Sequence, residues 1–179
     1  FLYYDFVRDR NVIGNPDLRT TLVHNADLRW EWFFAQGQVL ATSVFYKHFV
    51  RPIEQLIISV DYQSKFDNVK SAEAYGAELE LRSNLKFIHS ALRHFDFESN
   101  FTLIHSEVEV PDRLAGVIRA GGRPMFGQAP YVINLALRFS DPDTRLAAGL
   151  IYNVVGPRIV DVGTRVTDVY FPNVEELPI

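Results

Sequence analysis

Cysteine is absent from the 179 residues, which removes thiol catalysis, disulfide stapling and cysteine-based zinc sites together. Basic residues are in deficit, 18 Lys and Arg against 22 Asp and Glu. The net charge of −4 leaves no electrostatic footprint of a nucleic-acid binder. No apolar run approaches the ~18–20 residues that a membrane-crossing helix needs. Helical periodicity, low-complexity tracts and linkers are missing too. What is present is greasy: 47% hydrophobic and 13% aromatic, far too apolar for disorder and enough for the core of one domain. The chain opens inside an apolar segment, Phe1-Leu2-Tyr3-Tyr4, so we expect a piece of a longer polypeptide.

The dominant signal is alternation with a period of two. Leu22, Ala26, Leu28, Trp30 and Trp32 interleave with Asn25, Asp27, Arg29 and Glu31. Successive strand side chains point to opposite faces, so this is a strand with one apolar and one ionic side. The pattern recurs where Tyr75, Ala77, Leu79 and Leu81 oppose Gly76, Glu78, Glu80 and Arg82. It recurs again in Phe97, Phe101 and Leu103 against Glu98, Asn100 and Thr102. Tyr131 to Phe139 and Leu146 to Val154 supply two more strands, residues 39–50 a sixth with a less regular pattern, and residues 2–8 the end of a seventh.

Connections alternate in length. Residues 35–38, 84–93 and 140–144 are short, the last carrying the turn signature Asp141-Pro142-Asp143. Residues 51–71, 111–130 and those after 160 read as long loops. Short turns at one end and long loops at the other are how outer-membrane barrels are organised, and strands of this length cross a bilayer when tilted. A soluble β-sandwich alternates as well. The crowding of Trp30, Trp32, Phe33 and Phe34 beside a short turn is the placement of an interfacial girdle.

Several strings then occur in a telling order: Tyr4-Asp5-Phe6, Gly14-Asn15-Pro16-Asp17-Leu18, Asn25-Ala26-Asp27-Leu28-Arg29-Trp30-Glu31 and Phe45-Tyr46-Lys47-His48-Phe49. Arg51-Pro52-Ile53-Glu54, Tyr75-Gly76-Ala77-Glu78-Leu79-Glu80, Gly127-Gln128-Ala129-Pro130-Tyr131 and Tyr152-Asn153-Val154-Val155-Gly156-Pro157-Arg158-Ile159 follow. Over nearly the whole chain they resemble the barrel portion of TonB-dependent outer-membrane receptors, above all the subset with a carboxypeptidase-regulatory-like N-terminal domain. The resemblance implies an all-β, antiparallel transmembrane barrel of 22 strands, plugged in its lumen. It implies import of a scarce ligand (siderophore, cobalamin, saccharide or peptide) with energy relayed by TonB through the plug, and no enzymatic activity. Residues 1–179 would be a partial barrel of about six to seven strands, with plug and TonB box absent. Partners implied are the TonB energy-coupling complex, outer-membrane lipid and lipopolysaccharide. Two other readings stay open: a complete small barrel serving as anchor or adhesin, and a soluble β-sandwich binding module.

Within this frame the expected lumen-facing residues are Asn25, Asp27, Arg29, Glu31, Glu78, Glu80, Arg82, Asn134 and Arg138. Their carboxylates at i and i+2 could in principle serve acid/base chemistry, but a wet wall accounts for them without it. No catalytic residue, cofactor or metal site is assigned; His24, His48, His89, His94 and His105 are scattered without ligand spacing. The candidate ligand-contacting loop is residues 111–130, with Arg113, Arg119 and Arg123 among glycines. These arginines could meet an anionic ligand, contact lipopolysaccharide phosphates, or simply be solvated. Gly76 and Gly149 within strands are read as sites of sheet curvature or close approach.

Overall fold

The computed structural model describes residues 2–7, 9–58, 63–111, 122–162 and 169–171. In chain order the strands are β1 (Leu2–Asp5), β2 (Arg10–Ile13), β3 (Leu22–Ala35), β4 (Gln38–Val50), β5 (Ile53–Ile57), β6 (Ser64–Asn68) and β7 (Ser71–Asn84). They continue as β8 (Phe95–Glu109), β9 (Tyr131–Asp141), β10 (Leu146–Val155), β11 (Arg158–Asp161) and β12 (Val169–Phe171).

The alternating segments form one six-stranded antiparallel sheet in the order β10-β9-β8-β7-β4-β3. Its strands run 10 to 15 residues, compared with the ~9–11 that span hydrocarbon at a ~45° tilt. Residues directly opposite in an antiparallel ladder share a face, so the register sorts the side chains into rows. One row on the first face reads Leu28, Val44, Ala77, Leu103, Tyr131, and the next Trp30, Thr42, Leu79, Phe101, Ile133, Val154. Leu28 is 71% exposed and Trp30 55%, and among the described residues no second sheet covers them. That argues against a soluble sandwich, whose inner faces would bury this side. Strands β3 and β10 stand at opposite edges, so this sheet does not close on itself as a complete small barrel would.

Each short connection has a local cause. Gly37 turns the β3–β4 hairpin at φ 72, a conformation that costs glycine little. Asn84 caps a 3-10 turn (Leu85–Phe87) by accepting from the Lys86 N–H at 3.0 Å, and its amide donates to Asp96 Oδ1 across the hairpin at 2.9 Å. At the third, Asp141 accepts from the Asp143 N–H at 3.1 Å and the Thr144 hydroxyl at 2.8 Å.

The other end departs from the sequence reading. Residues 51–71, expected as an open loop, contain β5 and β6, paired with each other. Of residues 2–8, expected as the end of a seventh barrel strand, Leu2–Asp5 instead pair with β2. Together they make a second sheet, β1-β2-β6-β5, in which β2 and β6 run parallel. The physical reason is burial: Val12, Leu56, Ile159 and Val162 are all within 1% of full burial here. A bilayer-facing sheet has no dry interior of its own, so the chain's water-excluding core forms among its long connections. A second cluster, Val69, Ala72 and Val108, joins that cap to the inner side of the large sheet with Phe49 and Met125 packed against it.

Candidate functional site

The second face of the large sheet carries the polar side chains. Register puts Glu31, Ala41, Glu80, Asn100, Asn134 and Asn153 in one row, and Arg29, Ser43, Glu78 and Thr102 in the next. Asp27 shares the face with Phe45 and Gly76, Asn25 with Lys47 and Ala74. Arg82 lies opposite Glu98, and Arg138 opposite Asp96. Every residue expected to face a lumen therefore lies on one side of the sheet.

Ion pairs knit that side together. Arg29 meets Glu31 at 2.6 Å and reaches over β4 to Glu80 at 2.7 Å. The reach is possible because Ala41, fully buried, stands between Glu31 and Glu80 and offers no bulk. Arg82 bridges Glu80 at 3.7 Å and Glu98 at 3.8 Å, and Arg138 closes on Glu98 at 2.7 Å. The result is a continuous chain of alternating charge from β3 to β9. Side-chain exposure along it runs from 28% for Glu80 to 58% for Arg138. Such half-solvated pairs stabilise little but fix where the guanidiniums point. Chemically this is a wetted, hydrogen-bonding wall, and among the described residues no cluster of His, Asp or Glu is arranged to hold a metal.

The candidate loop fares differently. Arg113 and Arg119 lie outside the described residues. Arg123 is the reverse of a free loop cation: its side chain is 0% exposed and forms a two-pronged ion pair with Glu54 of β5. The expectation that Arg123 contacts ligand is corrected on that ground, since its donors are directed at protein. Glu54 also accepts from the Phe126 N–H at 3.3 Å, while Arg123 donates to the Pro124 carbonyl at 3.1 Å. The Met125 N–H donates to Ser106 Oγ at 3.1 Å and the Val108 N–H to the Arg123 carbonyl at 3.0 Å. These contacts fold residues 122–126 onto the inner side of β8. Glu54 was missed from the sequence because its segment read as loop; the run Ile53 to Ile58 was the available signal of a buried strand.

The histidines find ordinary partners. His24 stacks on His48 across β3 and β4, with ring centroids 6.4 Å apart, and His105 lies 5.0 Å from the Tyr75 ring. Gly76 is a place of close approach: a Cβ there would stand 2.3 Å from the Leu103 carbonyl oxygen and 2.6 Å from the Phe45 ring. Gly149 has open space around it.

A two-faced antiparallel sheet, apolar toward the outside and ionic within, with its core in the long connections, is the anatomy of an outer-membrane barrel wall. The family model for "TonB dependent receptor-like, beta-barrel" matches residues 2–175. The chain belongs to that family. Its members are non-enzymatic outer-membrane transporters, and this barrel segment sits in the outer membrane. Among solved structures it is similar to the FrpB iron transporter from Neisseria meningitidis (F3-3 variant), at 7% identity and a TM-score of 0.58. That match covers 91% of this chain and 24% of FrpB, so the segment spans about a quarter of the transporter's length and shares its fold. No curated protein matches the chain.

Proposed function

We propose that residues 1–179 are a partial barrel in the wall of a 22-stranded receptor that imports a scarce ligand across the outer membrane, driven by TonB through a plug in the lumen. The observation that carries this reading is the face-sorted register: the apolar rows include Trp30 and Leu79, and the opposite rows carry the Glu31–Arg29–Glu80–Arg82–Glu98–Arg138 chain. A plugged lumen needs donors and acceptors on its wall, and lipid needs none. Asn25, Asp27, Arg29, Glu31, Glu78, Glu80, Arg82, Asn134 and Arg138 then line the lumen and hydrogen-bond the plug or the passing ligand. Arg113 and Arg119 remain candidates for contact with ligand or lipopolysaccharide. The ligand class is a siderophore, cobalamin, a saccharide or a peptide.

Membership of the subset with a carboxypeptidase-regulatory-like N-terminal domain is part of the same proposal. It rests on the ordered strings between Tyr4 and Ile159, and reading the coding sequence upstream of Phe1 tests it. The functional test is growth and radiolabelled uptake on defined nutrients after deletion of the gene, with and without TonB. We expect loss of one nutrient's uptake in either deletion; uptake unaffected by TonB removal rejects the energy-coupled reading.

A further inference from the structure

The cap holds a cleft of about 550 Å³ at the ends of β4, β6 and β7, away from the ionic row of the sheet. It is lined by Arg19, Arg51, Lys65 and Lys70, against the carboxylates of Asp17 and Asp67. A local excess of +2 is therefore concentrated on a chain whose net charge is −4. Its size falls within the ~300–1,000 Å³ of small-molecule sites.

The two arginines are held by their backbones. Asn68, 8% exposed, organises both. Its side-chain oxygen accepts from the Arg19 N–H at 2.7 Å, and its amide donates to the Arg19 carbonyl at 2.9 Å and the Arg51 carbonyl at 2.7 Å. The Thr21 hydroxyl donates to that same Arg51 carbonyl at 3.0 Å, and the Arg51 N–H donates to the Lys70 carbonyl at 3.1 Å. Arg51 is fixed at φ 54, a left-handed conformation unfavourable for a long side chain. Among the described residues its Nε has no hydrogen-bond partner and neither guanidinium has an acidic partner. By contrast Asp67 is occupied by the Asn68 N–H at 2.8 Å, the Asn15 amide at 3.4 Å and the Lys65 ammonium at 4.0 Å, and Lys70 by Glu109. Strained backbone held by surrounding contacts is a mark of functional sites.

We infer that this cleft binds a compact polyanion through Arg19 and Arg51, by its phosphate, sulfate or carboxylate oxygens. Guanidinium forks match such oxygens in a two-pronged geometry that an ammonium cannot provide. The anion has two possible sources, a soluble molecule on its way to import or the phosphates of lipopolysaccharide. Binding by the cleft does not depend on transport; assigning the soluble source rests on the proposed import function.

The test uses the complete polypeptide that carries this segment, purified in detergent and titrated calorimetrically with inorganic pyrophosphate. Arg19→Gln combined with Arg51→Gly is the informative variant, because glycine tolerates the φ at 51 and the fold is preserved. Heat-modifiable migration on gels checks that preservation. Binding weakened at least tenfold in the folded variant, and declining with added salt in the wild type, supports the site. Equal affinity in variant and wild type overturns it. Reconstitution with bisphosphorylated or monophosphorylated lipid A separates the sources. Pyrophosphate binding blocked by lipid A, in the bisphosphorylated form alone or in both, identifies lipid as the occupant, and binding unaffected by either identifies a soluble anion. A TonB deletion that leaves nutrient uptake intact would reject import while leaving the calorimetric result standing.

Discussion

Arg123 shows how a single side chain can change meaning between sequence and structure. Among glycines in a long connection it reads as a free cation, yet it is the largest fully buried side chain among the described residues. Truncating one member of a buried, hydrogen-bonded pair strands the other's charge, at a cost of about 3–5 kcal/mol. Arg123→Ala should therefore loosen the cap, read as faster amide exchange at Val108 and Met125. Exchange elsewhere in the six long strands should change little. Gly76 makes the opposite case, a residue whose value is its missing side chain. Overpacking of this kind costs about 1–3 kcal/mol, so Gly76→Ala should lower the temperature at which the barrel band shifts on heated gels. Nothing in the period-two pattern distinguishes Gly76 from Gly149; the Leu103 carbonyl and the Phe45 ring beside Gly76 do.

Elements built on alternation were legible, because one face meets hydrocarbon and the other water and the register is thereby fixed. Strands β3, β7, β8, β9 and β10 lie where the periodicity puts them, and so does the Asp141-Pro142-Asp143 turn. The cap strands were not legible: β5 is buried on most sides, so Leu56, Ile57 and their neighbours form an apolar run without alternation. Nor could spacing reveal the parallel pairing of β2 with β6, which joins residues about fifty positions apart. The third turn carries its own prediction. Asp141, outside the bilayer band, has its carboxyl held below the usual carboxylate range, first by the Thr144 hydroxyl and next by the Asp143 N–H. A depressed value means that the turn's contribution is present above about pH 3.9 and is lost as pH falls through the folded-state value. Carbon NMR titration should place the Asp141 midpoint below that of an exposed aspartate, and Thr144→Ala should raise it.

At the scale of the molecule, the apolar face and the two open edges define what the segment needs. Leu28 and Leu150 are each about 70% exposed, and unpaired edge strands are templates for association. Expressed alone in plain buffer the segment should aggregate, and in micelles it should stay dispersed; light scattering with and without detergent checks this. A monodisperse monomer in plain buffer would contradict the lipid-facing assignment. The same arithmetic of faces accounts for a fold shared with FrpB at only 7% identity. A bilayer asks for apolarity at alternate positions and is indifferent to which apolar residue supplies it.

The cap's packed interior has an immunological consequence. Where long connections face the cell exterior, β5 and β6 present themselves as a folded antiparallel pair pinned by Arg123 through Glu54, with Leu56 sealed from solvent. Antibodies raised against the corresponding linear peptide would meet side chains that intact bacteria conceal. Sera able to recognise living cells would have to be elicited by the assembled surface.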